Sequence, residues 1–127
     1  MEIKNLAVVA GGGITGSIAR WIISLSIVDN GFPWATLLVN YIGSIILTIV
    51  VLYSKHHASN KWWWRPALGT GFCGGFTTYS AFALKIDQYI NAREIHLVVE
   101  YALASLVGTY ILVFVTNEFF YKRVSSK

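Results

Sequence analysis

The sequence GFCGGFTTYSAF, residues 71–82, decides how the fold of this chain is interpreted. Three glycines are followed by hydroxyl and aromatic residues, inside an apolar stretch long enough to cross a membrane. Two interpretations are open: a loop that interrupts the membrane pattern, or a membrane helix that is broken in order to handle an ion. Glycine weakens a helix, and a break in a membrane is tolerated only where protein or an ion satisfies the freed backbone groups. The rest of the chain decides between them.

The composition places the chain in a membrane. Of its 127 residues, 55% are hydrophobic and 13% are charged, which is too apolar for a soluble domain of this length. Four apolar segments have about the length that a bilayer requires, and they cover residues 6–28, 34–53, 66–84 and 96–120. The chain is therefore predicted to be one all-α domain of four transmembrane helices, and residues 71–82 lie in the third.

The basic residues are distributed unequally between the two sides of the membrane. With four spans, both termini and the middle loop share one side, and that side has seven Lys and Arg against two, Lys85 and Arg93, on the other. The positive-inside rule then predicts that both termini are cytoplasmic and that the chain inserts in one orientation. The charge therefore reflects topology, and nucleic acid is not an expected partner. The seven are Lys4, Lys55, Lys61, Arg65, Lys122, Arg123 and Lys127.

Polar side chains within the spans are candidate functional residues, because lipid cannot satisfy them. Arg20, near the end of the first span, either extends its charge to the interface or creates a positive potential at the entrance of an anion pathway. Asn40, in the second span, lies one helical turn after Thr36 and offers two amide hydrogen-bond donors. These residue types are suited to binding an anion.

Three hydroxyl residues recur every four positions in the fourth span: Tyr101, Ser105 and Thr109. This spacing places them on one helix face. Each hydroxyl either donates to its own backbone or forms part of a polar track. No span centre contains Asp or Glu, so a proton relay or a drug exporter based on a membrane carboxylate is not expected. Neutral donors without an opposite charge suit an anion that must bind and leave.

Small residues recur at four-residue spacing in three of the spans, as Gly12 with Gly16, Gly71 with Gly75, and Ala104 with Gly108. Such pairs let helix backbones approach closely. They indicate either assembly with another subunit or packing within one chain.

A break in the third span would allow residues 71–82 to contact two kinds of ion. Freed carbonyl oxygens are hard ligands suited to a small cation. Tyr79 and Phe82 are three residues apart and would face the same way, and the partly positive edge of an aromatic ring can contact an anion.

With these segments taken together, the sequence resembles the Fluc (CrcB) family of fluoride channels. The resemblance covers nearly the whole chain, through GGGITGSIARW (11–21), PWATLLVNYIGS (33–44), GFCGGFTTYSAF and the hydroxyl stripe of the fourth span. It implies a passive fluoride channel of the inner membrane rather than an enzyme. The family assembles as an inverted, antiparallel dimer of four-helix subunits with two fluoride pores and a structural sodium ion at the dimer interface.

The resemblance also implies roles for individual residues. The backbone carbonyls of Gly74 and Thr77 would bind the sodium ion, and Arg20 would lie near an entrance. The remaining residues predicted for the fluoride pore are Thr36, Asn40, Tyr79, Ser80, Phe82, Tyr101, Ser105 and Thr109.

Three positions depart from the family pattern. Tyr79 replaces the usual Phe, Ala81 a common threonine, and Lys85 a common acidic residue. Together with the fixed orientation, these departures favour an antiparallel dimer with a related subunit of opposite orientation over a homodimer. They also leave a second role open, that of a structural partner subunit with a partly degraded pore.

Overall fold

The computed structural model describes residues 3–56 and 62–125, so Lys61 and Lys127, which were counted in the charge asymmetry, lie outside it. Across both ranges the regular elements are all helical, which confirms the predicted all-α class. The helices are α1 (Ile3–Ser26), α2 (Trp34–His56), α3, in which a π-helical part (Pro66–Cys73) continues into one α-helical turn (Gly74–Phe76), α4 (Ser80–Asn91) and α5 (Ile95–Ser125).

Three of these helices, α1, α2 and α5, are long and apolar enough to cross a membrane. Large apolar side chains along them are exposed, such as Ile14 and Trp21 on α1 and Leu106 on α5. An exposed apolar surface of this extent is typical of contact with lipid or with another membrane subunit. The helices α3 and α4 together form the fourth, bent element, so the predicted four-helix arrangement with a broken third helix is confirmed.

The glycines of α1 and α3 let these two helices pack backbone to backbone. A Cβ atom on Gly16 would lie 2.2 Å from the Phe72 carbonyl oxygen, and one on Gly75 would lie 2.3 Å from the Gly13 carbonyl oxygen. Gly12 and Gly71 are equally close to backbone atoms of the facing helix. Of the two interpretations of the small-residue pairs, packing within the chain is the one found here.

The break in the third span lies after the glycines rather than at them. Gly74 has helical dihedral angles, φ −64° and ψ −36°. Thr77 is the first extended residue, with ψ 160°, and α4 begins at Ser80. The glycines themselves therefore stay within the helical part of α3. Gly71 and Gly75 serve close packing, since a Cβ atom on either would meet backbone atoms of α1. The helix ends at Thr77, where the backbone groups of Thr78 form hydrogen bonds with the Asn40 side chain instead.

The other pair of tightly packed helices is α2 and α5. The Tyr41 hydroxyl donates a hydrogen bond of 2.5 Å to the Ala104 carbonyl oxygen, and it lies where a side chain on Gly108 would be. The small pair on α5 thus also serves contacts within the chain. A buried cluster of Leu37, Tyr89 and Tyr101 joins α2, α4 and α5 on one side of this contact.

Candidate functional site

A cavity of about 720 Å³ lies between α2, α5 and the break that separates α3 from α4. It brings together seven of the residues singled out in the sequence. No charged side chain of the described residues lines it. The seven residues are Asn40, Gly74, Thr77, Tyr79, Phe82, Ser105 and Thr109.

Asn40 holds the broken segment of the chain through its side-chain amide. Its Nδ2 donates to the Thr78 carbonyl oxygen at 3.0 Å, and its Oδ1 accepts from the Thr78 N–H at 2.8 Å. The second Nδ2 hydrogen has no partner among the described residues. Asn40 thus clamps the backbone of the break with two of its hydrogen-bonding groups and keeps one donor for a ligand in the cavity.

Thr78 organises the start of α4, and it was not among the residues singled out in the sequence. It is the one buried polar residue within the described ranges, with 8% of its surface exposed. Its Oγ1 accepts from the Ala81 N–H at 3.2 Å, which caps the helix, and lies 3.2 Å from the Ser80 Oγ. A threonine three residues before the apolar run of α4 is a helix-capping signal that could have identified it.

The aromatic pair of the third span lies at the mouth of the cavity. The ring centroids of Tyr79 and Phe82 are 5.9 Å apart, and Phe82 also packs against Tyr101 at 5.0 Å. Phe82 is half-buried, whereas Tyr79 leaves 80% of its surface exposed. Phe82 is therefore fixed by the fold, and Tyr79 is held on one side only.

Tyr101 is completely buried behind Phe82 and does not line the cavity itself. Its hydroxyl has no hydrogen-bond partner among the described residues; Thr36 faces it without reaching hydrogen-bond geometry. Leaving a buried hydroxyl unpaired costs ~1–3 kcal/mol. A buried hydroxyl of this kind is suited to a bound water molecule.

The hydroxyls of Ser105 and Thr109 differ from those of three other hydroxyl residues on α2 and α5. Ser44, Thr48 and Thr116 each donate to the carbonyl oxygen four residues earlier, at 2.7–2.8 Å. Ser105 and Thr109 make no side-chain hydrogen bond within residues 3–56 and 62–125, and both face the cavity. Of the two interpretations of the stripe, the backbone-bonded one does not apply to these two residues, so their O–H groups are available to a ligand.

Four residues predicted for the pore lie outside the lining of this cavity: Arg20, Thr36, Ser80 and Tyr101. Ser80 begins α4 and contacts Thr78. Arg20 is half-buried near the end of α1, the helix that packs mainly on α3. Within one chain, Arg20 therefore takes no part in the cavity that contains Asn40.

The carbonyls of Gly74 and Thr77 fit the requirements of a small cation. In a continuous helix they would accept from the N–H groups of Thr78 and Ala81, but those groups donate to Asn40 Oδ1 and Thr78 Oγ1 instead. Both carbonyls have thus lost their helical donors. Gly74 is exposed and has open space in front of its Cα, so a second chain could approach it. Carbonyl oxygen is the ligand type that hard cations prefer.

Comparisons with known proteins identify the family. Residues 7–117 match the model of the CrcB-like protein, Camphor Resistance (CrcB) family. A protein of Leptospira interrogans serovar copenhageni named fluoride-specific ion channel FluC is 33% identical over 108 residues, which cover 83% of this chain and 85% of that protein. A protein of the same name from Agrobacterium fabrum is 36% identical over 113 residues, which cover 87% and 90%. With its apolar helices, the chain is a multi-pass membrane protein and belongs to the CrcB family.

Proposed function

We propose that this chain is a subunit of a passive, fluoride-selective channel that lets cytoplasmic fluoride leave the cell down its electrochemical gradient. The observation that carries this proposal is the set of free donors in one uncharged cavity: the second amide hydrogen of Asn40 and the hydroxyls of Ser105 and Thr109. The names of the relatives agree with it.

The chemistry of fluoride explains this set of groups. Hydrogen fluoride is a neutral weak acid that crosses membranes and ionises in the less acidic cytoplasm, so an open path for the anion removes it without ATP or protons. Fluoride is small and strongly hydrated, so neutral N–H and O–H donors must replace its water while binding weakly enough to let it leave. The ring edges of Tyr79 and Phe82 add weak contacts beside them.

The proposal includes a structural sodium ion bound by the Gly74 and Thr77 carbonyls. Two carbonyls from one chain cannot complete the coordination of a cation, so the same two groups of a second subunit would supply the rest. When bound, the ion would hold the two subunits together through their helix breaks. The lost helical donors of both carbonyls and the open space at Gly74 support this assignment.

The subunit would lie in the inner membrane with both termini cytoplasmic, in an antiparallel dimer with a related subunit of opposite orientation. The charge asymmetry supports one fixed orientation. Tyr79 is exposed and the cavity is open on one side, which supports a second subunit that covers both. A homodimer is the alternative assembly.

A second candidate is a partner subunit that keeps the fold and the sodium site but has lost its own pore. It is favoured by the replacements at Tyr79, Ala81 and Lys85. The Lys85 ammonium lies over the ring of Tyr89, 5.1 Å from its centroid, so a cation stands where the family pattern has an acid.

Liposomes that contain this chain assembled with the related subunit, and are loaded with either fluoride or chloride, test the channel function. We expect fluoride to leave when a potassium ionophore balances the charge and chloride to stay, because only fluoride is small enough to be solvated by a few neutral donors. An imposed proton gradient should leave the fluoride rate unchanged. Ion-selective electrodes measure both rates; equal loss of both ions, or fluoride release only with a proton gradient, would contradict the proposal.

The same assay tests the assembly. If the heterodimer proposal holds, the chain alone is inactive and becomes active when it is purified together with a related subunit of opposite charge asymmetry. Fluoride efflux from liposomes that contain this chain alone, with antiparallel subunits found by crosslinking, would establish the homodimer instead.

A further inference from the structure

Asn40 and Thr78 act on the helix break in the same way. Each provides a side-chain oxygen that accepts an N–H which a continuous helix would give to a backbone carbonyl. Asn40 Oδ1 accepts the Thr78 N–H at 2.8 Å, and Thr78 Oγ1 accepts the Ala81 N–H at 3.2 Å.

The two carbonyls deprived in this way are the two assigned to the cation. An N–H donates to the carbonyl four residues earlier in an α-helix, so the Thr78 N–H belongs to Gly74 and the Ala81 N–H belongs to Thr77. A peptide group that loses its helical donor must find another partner in the membrane. Here two side-chain oxygens replace the two backbone carbonyls as hydrogen-bond acceptors. Both N–H groups are satisfied, and both carbonyl oxygens are left free.

We propose that Asn40 and Thr78 are positioning residues that build the cation site by keeping the Gly74 and Thr77 carbonyls free. This inference rests on the sodium site of the proposed function. It gives Asn40 two separable roles: its Oδ1 maintains the break, and its remaining amide hydrogen faces the cavity. The burial of Thr78, with 8% of its surface exposed, fits a residue that acts through the backbone rather than on the anion.

The chemistry of the two side chains defines variants that separate these roles. Asn40→Asp keeps an oxygen acceptor for the Thr78 N–H but lacks both amide hydrogens, the one donated to the Thr78 carbonyl oxygen and the one available to the anion. Asn40→Leu has a similar volume and lacks both groups. Thr78→Ser keeps the capping hydroxyl, whereas Thr78→Val keeps the shape and lacks it.

Sodium binding is measured by thermal unfolding of the purified, assembled protein during titration with NaCl, with N-methyl-D-glucamine chloride holding the ionic strength constant. We expect Asn40→Leu and Thr78→Val to raise the sodium concentration for half-maximal stabilisation at least roughly tenfold, in line with the loss of one hydrogen bond to a buried group. Asn40→Asp and Thr78→Ser should keep the response of the unchanged chain. Asn40→Asp should nevertheless lose fluoride efflux from liposomes.

Thr48→Val is the matched control, since Thr48 lies on α2 two turns beyond Asn40 and donates only to Ser44. It should titrate like the unchanged chain. A normal sodium response in Asn40→Leu or Thr78→Val would overturn the inference and leave the channel proposal standing. Loss of the response in Thr78→Ser would overturn it as well. If sodium does not stabilise the protein without substitutions, the proposed sodium site itself is wrong. The Asn40 variants and the Thr78 variants are independent tests. If the variants at one position do not assemble, those at the other position still test the inference.

Discussion

Replacing Phe82 with isoleucine is expected to reduce fluoride efflux from liposomes roughly ten- to hundredfold, since each aromatic contact is worth ~0.5–1.5 kcal/mol and a factor of ten in rate corresponds to ~1.4 kcal/mol. The substitution removes the ring edge from the cavity and the contact with the Tyr101 ring at 5.0 Å. The measurement is the initial fluoride rate at equal protein content.

Phe119→Ile is the control, because Phe119 is an exposed phenylalanine of α5 that does not line the cavity. It should conduct like the unchanged chain. Tyr79→Phe should also retain conduction, since the Tyr79 ring is largely exposed and contacts Phe82 alone among the described rings. If Phe82→Ile leaves the efflux of an active heterodimer unchanged, then this chain is the non-conducting partner and the second candidate function is correct.

The membrane class and the helix order could be predicted because the length of an apolar segment is a local property. The starts of α2 at Trp34 and of α3 at Pro66 agree with the predicted spans. The end of the third span does not: α4 continues to Asn91, beyond the predicted residue 84. Its last turns are less apolar, but Tyr89 is buried in the core cluster and donates a hydrogen bond to the Gly31 carbonyl. Packing and not hydropathy sets that end.

The position of the break could not be predicted from residues 71–82 alone, because its cause lies in another helix. The glycines lie at residues 71–75, whereas the backbone leaves the helix at Thr77. The amide of Asn40 on α2 provides the acceptor that makes this possible. Asn40 was recognised as a polar group needing a partner, but a single sequence does not show that the partner is a peptide group 38 residues away.

The free hydroxyls of the fourth span illustrate the same limit. Four-residue spacing correctly places Ser105 and Thr109 on one face, but Ser44 and Thr48 on α2 have the same spacing and bond to their own backbone. Their hydrogen bonds distinguish the two pairs, since Ser105 and Thr109 make no such bond within the described residues, although Ser44 lines the same cavity. Spacing identifies a face, and the packing of neighbouring helices determines what the face does.

Gly16→Ala is expected to destabilise the protein by ~1–3 kcal/mol, the usual cost of overpacking, despite the better helix propensity of alanine. The new Cβ would lie 2.2 Å from the Phe72 carbonyl oxygen and 2.9 Å from the Phe76 nitrogen. Both are backbone atoms, so α1 and α3 must move apart. That movement would also shift the residues before the break, so fluoride efflux should fall with stability. The midpoint of thermal unfolding in detergent measures the effect.

Gly11→Ala is the matched substitution on the same helix, since a Cβ there meets nothing within 4 Å. It should leave the midpoint unchanged or raise it, because alanine favours a helix over glycine by up to ~1 kcal/mol. Opposite effects from one added methyl group on one helix would show that the glycines of α1 serve packing against α3 rather than flexibility or subunit contact. A midpoint for Gly16→Ala at or above that of Gly11→Ala would contradict the close packing of α1 on α3, and with it the explanation for glycine at positions 71 and 75.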